Sequence, residues 1–169
     1  MIPPFSLTNQ HSGEFGSKDL EGKIWVANFI FTSCATECPL ISRRMREIQD
    51  TFAGDDRVEL VSISVDPRTD NPERLARYAD AFQAGEKWNF LTGDIKTIRN
   101  VSSKGFMVVT PDSLNEATSV RKARQLLHSE KIAVVDQLGV VRFFASGLHP
   151  SAGKQVVEVV RKLLAAEKD

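Results

Sequence analysis

The stretch that decides the fold runs from Ile24 to Pro39 and reads IWVANFIFTSCATECP. Its first half, Ile24 to Phe31, is a nearly continuous apolar run, which is typical of a strand buried on both faces. Its second half carries the only two cysteines of the chain, Cys34 and Cys38, and ends at Pro39, after which we predict a helix. A buried strand that leads into a helix is typical of an open α/β sheet, in which functional groups collect where the strands end.

The residues that follow support this interpretation. Apolar side chains recur at helical spacing after Pro39, at positions 41, 45, 48 and 52, and predict a helix with one buried stripe. Val58 to Val65 predicts a second central strand, and the turn from Asp66 to Pro72 leads into a second helix. Asp70 or Asn71 would be the N-cap of that helix, with Pro72 in its first turn.

The flanking segments complete the predicted topology. Alternation from Phe5 to Phe15 indicates an N-terminal β-hairpin, and Asp94 is the expected cap of a short helix. The later elements are a short strand over Phe106 to Val109, an irregular stretch over Thr110 to Leu127, a hairpin of strands 131–135 and 140–144, and a last helix around 156–164. We therefore predict one α/β domain over residues 1–169, with a thioredoxin-like mixed sheet flanked by helices and an extra N-terminal β-hairpin.

Composition narrows the function classes. Lysine plus arginine and aspartate plus glutamate number 22 each, so the formal net charge is zero and nothing indicates a nucleic-acid binder. No window approaches the roughly 20 apolar residues that cross a bilayer, and no signal-peptide pattern opens the sequence. These features fit either a cytosolic protein or the soluble domain of an anchored one.

The cysteine pair carries the clearest chemical signal. Residues four apart on a helix lie about 6 Å apart, which suits a disulfide or a soft metal ion held between two thiolates. A helix N-terminus favours negative charge, so we expect a lowered thiol pKa. Two buried cysteines that act only as small hydrophobes are the plainer alternative, and the strand–helix junction disfavours it.

A third ligand would come from one of three histidines. His11 lies in the predicted hairpin turn and His149 precedes the last helix, so surface or capping roles suit both. His128 lies just before strand 131–135, at the point where thioredoxins place a cis-proline facing their cysteines. No proline occurs between Pro111 and Pro150. From the residues alone, a ligand and an ordinary loop histidine are equally good interpretations of His128.

Three features together resemble the SCO/SenC family of copper chaperones for cytochrome c oxidase. They are the Cys-x-x-x-Cys-Pro run after an apolar strand, the turn Val65-Asp66-Pro67…Asp70-Asn71-Pro72, and a histidine before the late hairpin. The resemblance implies one copper(I) or copper(II) ion bound by Cys34, Cys38 and His128. It also implies delivery to the oxidase's copper-bearing subunit or to another copper chaperone. The implied location is the extracytoplasmic face of a membrane, in bacteria the periplasm, with one N-terminal helix as anchor.

This sequence departs from the family pattern at two positions. Ala35 follows the first cysteine, where members commonly have proline, and Leu127 precedes His128, where many have aspartate. Neither change removes a ligand. The loss of the aspartate would weaken the orientation of the imidazole and so affect copper(II) more than copper(I).

Two alternatives stay open at this point, and a third, a peroxiredoxin, is strongly disfavoured. A thiol–disulfide oxidoreductase would use the same Cys34 and Cys38 as a redox-active pair. A peroxiredoxin would need a hydroxyl residue three positions before its cysteine, and that position is Phe31. An interaction module without metal would use Thr110 to Leu127 as its docking surface.

Overall fold

The computed structural model describes residues 1–108 and 130–166. Seven strands and four helices make up its regular structure. The strands are β1 (Ser6–Asn9), β2 (Glu14–Gly16), β3 (Ile24–Ile30), β4 (Val58–Ser64), β5 (Trp88–Thr92), β6 (Lys131–Val135) and β7 (Val141–Ser146). The helices are α1 (Glu37–Phe52), α2 (Pro72–Ala81), α3 (Ile95–Asn100) and α4 (Ala152–Ala166), with short helical turns at Ser17–Leu20 and Val101–Gly105.

All seven strands form one mixed sheet in the order β2-β1-β5-β4-β3-β6-β7. The three central strands β5, β4 and β3 are parallel, while β1, β6 and β7 pair antiparallel to their neighbours. The predicted thioredoxin-like mixed sheet is therefore confirmed, as is the N-terminal hairpin, in which β1 pairs with β2.

Strand β3 is buried at every position because helices or loops cover both faces of the sheet. Ile24, Val26 and Ile30 pack in one core with side chains of α1, α2 and α4. Trp25 and Phe29 point the other way, into a second core formed with α3 and the N-terminal segment. The uninterrupted apolar run of β3 thus reflects a central parallel strand between two layers.

The sequence analysis missed one strand, and one strand that it predicted does not form. Strand β5, Trp88–Thr92, was not predicted, although it is buried at all five positions and pairs with β4 and β1. No strand forms over residues 106–108 of the predicted strand from Phe106 to Val109. Met107 has a φ of 54°, which extended backbone does not adopt, and Phe106 packs edge-on against Phe29 instead.

The remaining predicted helices are confirmed, with small shifts of their ends. Helix α1 begins at Glu37, two residues before Pro39, so Cys38 lies in its first turn. Asn71, not Asp70, is the N-cap of α2, and its side chain accepts a hydrogen bond from the Arg74 N–H at 2.9 Å. The irregular stretch from Thr110 to Leu127 lies outside the described residues. Within residues 1–108 and 130–166, no helix is long and apolar enough to cross a membrane.

Candidate metal and redox site

The two cysteines lie at the carboxyl end of β3, where the chain turns into α1. The N–H of Cys34 donates to the carbonyl of Phe31 at 3.1 Å and closes a tight turn between strand and helix. Cys38 follows in the first turn of α1. The first N–H groups of a helix have no partner within the helix. Here the N–H of Cys38 donates to the sulfur of Cys34 at 3.4 Å, so one cysteine supplies a cap for the turn that carries the other.

Both sulfurs are reduced and largely withdrawn from solvent. Cys34 is 8% exposed and Cys38 is 6% exposed, and no disulfide joins them. The thiol of Cys34 donates to the carboxylate of Glu37 over 3.9 Å, and the same carboxylate accepts from the Thr36 hydroxyl at 2.9 Å. The site therefore holds two adjacent thiols next to an acidic side chain at the surface.

The expectation of a lowered thiol pKa was wrong for Cys38. Burial raises its pKa to about 12, although a backbone hydrogen bond with Phe31 lowers it in part. The neighbouring Cys34 and the negative charge of Glu37 raise it further. The helix N-terminus is present as predicted, but the loss of hydration on burial outweighs its effect on the Cys38 pKa.

Tyr78 of α2 lies on the inner side of the pair. Its hydroxyl shares a hydrogen bond of 2.8 Å with Ser42 of α1. Burial raises the pKa of Tyr78, and the proximity of Cys38, Cys34 and Asp70 raises it as well. A neutral phenol thus borders the two thiols on the side of the core.

The turn from Asp66 to Pro72, one of the motifs behind the resemblance, reaches the cysteine turn directly. Asp70 is fully buried, and its carboxylate accepts hydrogen bonds from the backbone N–H of Thr32 at 3.0 Å and from its hydroxyl. The hydroxyl of Ser64, at the end of β4, donates to the same carboxylate at 2.7 Å. The motif therefore shapes the site from behind the cysteines as well as capping α2.

The histidines are placed differently from one another. His128 lies outside the described residues. His11 is exposed in the β1–β2 turn, and because β1 runs antiparallel to β5, this turn lies at the sheet edge opposite the cysteines. His149 is exposed, and its Nδ1 accepts from the backbone N–H of Ser151 at 3.2 Å near the start of α4. Both His11 and His149 are therefore exposed, as predicted.

The chain enters β6 at the same edge of the sheet as the cysteines. Strand β6 runs antiparallel to β3, so Lys131 and the residue before it, Glu130, lie near the end of β3. The carbonyl of Glu130 accepts from the N–H of Gly147, and a Cβ on Gly147 would lie 2.9 Å from Cγ1 of Ile41 in α1. Across residues 1–108 and 130–166, no three His, Cys, Asp or Glu side chains form a cluster able to hold a metal ion.

Sequence reasoning missed Thr32, Arg74 and Tyr78 as neighbours of the site. One signal was available for Asp70. Asp70 and Asn71 are both good N-caps, but a helix uses only one of them. Because Asn71 caps α2, the carboxylate of Asp70 is free to accept hydrogen bonds elsewhere.

A dithiol at the end of a parallel strand, with the second sulfur in the first turn of the next helix, defines a thioredoxin-fold protein of the metal-binding or redox class. A family model described as SCO1/SenC matches residues 1–165, and the chain belongs to that family.

Two named relatives are similar to this chain over most of its length. The chain is 27% identical over 163 residues to the SCO1 protein homolog of Bacillus subtilis, covering 95% of this chain and 81% of that protein. It is 28% identical over 143 residues to the "Putative copper-binding protein" of Stutzerimonas stutzeri, covering 83% of this chain and 67% of that one.

Solved structures share the whole architecture. A SCO1/SenC family lipoprotein from Bacillus anthracis is 32% identical, with a TM-score of 0.83 over 96% of this chain and 94% of that one. BsSco, described as a member of the Sco family of cytochrome c oxidase assembly proteins with a disulfide switch, is 25% identical, with a TM-score of 0.78 over 97% of this chain and 93% of that one.

Proposed function

We propose that this protein is a copper carrier that binds one copper ion through Cys34, Cys38 and His128. The observation that carries the proposal is the pair of free, buried thiols at the strand–helix junction, with the Cys38 N–H directed at the sulfur of Cys34. Two thiolates with an imidazole suit copper(I) and copper(II). The copper-binding name of the Stutzerimonas stutzeri relative supports the same metal.

Because the pKa of Cys38 is raised, copper loading requires that this thiol lose its proton. At neutral pH the Cys38 thiol is protonated, because its pKa is about 12. Only the thiolate is a good ligand, so copper must displace this proton, and copper binding is coupled to proton release. Burial of both sulfurs then shields the bound ion from solvent.

Chain direction supports His128 as the third ligand. Glu130, two residues later, lies at the sheet edge that holds the cysteines. Two residues of chain span at most about 7 Å, so a ligand two positions before Glu130 is within reach of that edge. In contrast, His11 belongs to the opposite edge, and the Nδ1 atom of His149 accepts a hydrogen bond near the start of α4.

We further propose that the carrier serves assembly of the dinuclear copper site of cytochrome c oxidase. Its partner would be the copper-bearing subunit of the oxidase or another copper chaperone. The description of BsSco as a member of an oxidase assembly family supports this role. The location would be the extracytoplasmic face of a membrane, most simply the bacterial periplasm, with residues 1–169 acting as one anchored domain. The lipoprotein description of the Bacillus anthracis relative supports that location.

Copper titration of the reduced protein tests the proposal. The parent should bind one copper(I) per chain in competition with a chromophoric chelator, and Cys34→Ser or Cys38→Ser should abolish tight binding. Equal copper content in the double-serine variant and the parent would contradict the proposal.

The binding of copper(I) and of copper(II) should depend on His128 to different degrees. Copper(I) accepts two thiolates alone, whereas copper(II) needs imidazole and a fuller coordination sphere. His128→Ala should erase the thiolate-to-copper(II) absorption band while much copper(I) binding persists. His149→Ala is the matched control, because His149 follows β7 at the same sheet edge. Loss of the band in His149→Ala instead would assign the ligand to His149.

A thiol–disulfide oxidoreductase is the second candidate, because the two thiols are adjacent and reduced. Against this candidate, no proline occurs between Pro111 and Pro150, whereas thioredoxins use a cis-proline beside their cysteines. Reduction of a disulfide in a model substrate at rates far above those of dithiothreitol would favour this candidate over the carrier.

A further inference from the structure

One buried carboxylate anchors the turn that carries Cys34. Asp70 has no exposed surface, and it accepts the backbone N–H of Thr32 at 3.0 Å together with the Thr32 hydroxyl. Ser64 adds a third donor at 2.7 Å. The ends of β3 and β4 and the start of α2 therefore meet at Asp70.

Arg74 completes this cluster from the solvent side. Its Nε and Nη2 atoms donate to the hydroxyl oxygen of Thr32 at 3.2 and 3.1 Å, and Nε lies 3.9 Å from the Asp70 carboxylate. The Thr32 hydroxyl thus donates to Asp70 and accepts from Arg74. A buried carboxylate needs this degree of pairing, because an uncompensated charge in the interior is costly.

The cluster is connected to the sulfurs through a short path. Thr32 lies within the turn that the Cys34 N–H closes onto the Phe31 carbonyl. The sulfur of Cys34 in turn accepts the N–H of Cys38. The position of Thr32 therefore fixes where Cys34 lies relative to the first turn of α1.

We propose that Asp70, acting through Thr32, is a positioning residue that holds the two sulfurs at a fixed separation. It touches neither sulfur and no ligand. The inference rests on Cys34 and Cys38 being the working pair of the proposed function. When the turn is already ordered, the pair closes a disulfide or binds a metal without a further loss of conformational entropy. A looser turn would make both reactions less favourable.

The test uses the metal-free protein, so it does not depend on copper binding. Reduced protein is equilibrated with oxidised and reduced dithiothreitol. Formation of the Cys34–Cys38 disulfide converts one oxidised dithiothreitol to its dithiol, and free thiols are counted after acid quenching. Asp70→Asn should lower the equilibrium constant for disulfide formation on the order of tenfold.

Asp136→Asn is the matched control. Asp136 is also a buried carboxylate with backbone and arginine donors, but it lies in the β6–β7 turn at the opposite edge of the sheet. Its variant should leave the equilibrium constant within about twofold of the parent, although it removes a comparable buried charge. Equal shifts in Asp70→Asn and Asp136→Asn would overturn the inference.

A second pair of variants keeps the test decisive if Asp70→Asn does not fold. Thr32→Val removes the bridging hydroxyl, and Thr32→Ser keeps it. Thr32→Val should lower the equilibrium constant in the direction of Asp70→Asn, and Thr32→Ser should restore the parental value. Equal constants for the two Thr32 variants would contradict the proposal. A parent that closes the disulfide normally but binds no copper would instead reject the carrier function and leave this inference intact.

Discussion

Asp70 and Asp136 are both buried carboxylates, and they stabilise opposite edges of the same sheet by different means. Asp136 accepts the N–H groups of Leu138 at 3.0 Å and Val140 at 2.9 Å, and the Arg142 side chain at 2.5 Å. All of these donors lie within six residues of Asp136 in the chain. Asp70 instead binds Thr32, 38 residues away, together with Ser64.

This difference separates a local turn from a tertiary junction. The Asp136 cluster shapes one hairpin through donors that all lie within that hairpin. The Asp70 cluster forms only after β3, β4 and α2 have packed together. We therefore expect changes at Asp70 to affect the site and the whole fold, and changes at Asp136 to remain local.

The largest expected effect is on stability when each carboxylate is removed. Asp70→Ala leaves the donors of Thr32 and Ser64 unpaired in the interior and should lower the free energy of unfolding by about 3 kcal/mol. Asp136→Ala should cost about 1 kcal/mol, because its donors Leu138, Val140 and Arg142 are exposed or half-exposed and can bind water instead. Urea unfolding of the reduced, metal-free proteins measures both. Equal losses would remove the distinction between the two regions.

Glycines at the two edges give a second comparison. A Cβ at Gly147 would lie 2.8 Å from the Glu130 carbonyl oxygen and 2.9 Å from Cγ1 of Ile41, so Gly147→Ala should cost about 2 kcal/mol through overpacking. Gly139 has a φ of 73° with no atom within 4 Å, and Gly139→Ala should cost about 1 kcal/mol through backbone strain alone.

Gly54→Ala is the control for both variants, because Gly54 has open space and no positive φ. Its unfolding midpoint in urea should match or slightly exceed that of the parent. If Gly139→Ala were more destabilising than Gly147→Ala, the close approach of β7 to α1 at the cysteine edge would be wrong.

The smallest expected effect is a pH dependence at the hairpin edge. Burial raises the pKa of Asp136, but the hydrogen bonds from Val140, Arg142 and Leu138 outweigh it and hold the pKa below its usual value. As pH falls, the unfolded chain binds a proton at this group first. The stability that Asp136 contributes is therefore complete above about pH 4 and is lost as pH falls through the folded-state pKa.

Asp136→Asn should accordingly be less stable than the parent by about 1 kcal/mol at pH 7, and the difference should shrink below about pH 4. Urea unfolding of both proteins from pH 7 to pH 3 measures this. A difference that stays constant over the whole range would show that the charge of Asp136 is not what stabilises the turn.

The same contrast explains what the sequence predicts well. Hydrophobic runs, caps and turns are local, so the β3 run, the stripe of α1 and the hairpin at Gly139 were predicted correctly. Strand β5 was missed because Asn89 interrupts its apolar pattern, and its place is set by pairing with β4 and β1. At the site, Cys34 and Cys38 lie only four residues apart in the sequence and were found. Thr32, Arg74 and Tyr78 join them only through tertiary packing.

The pKa of Cys38 shows most clearly what local sequence patterns cannot predict. The helix N-terminus is visible in the sequence and favours a thiolate, whereas the burial that raises the pKa to about 12 depends on elements distant in the chain. Local patterns therefore located the cysteine pair, and the folded environment determined the protonation of Cys38.

The most direct test of the central claim is copper content measured beside free-thiol count across a redox titration. A Cys34–Cys38 disulfide and a copper ion would use the same two sulfurs, so they should exclude each other. Reduced protein should load one copper per chain, and diamide-treated protein should load none until a reductant restores its thiols. Full copper loading of a quantitatively oxidised sample would contradict the account, because the metal would then be held elsewhere.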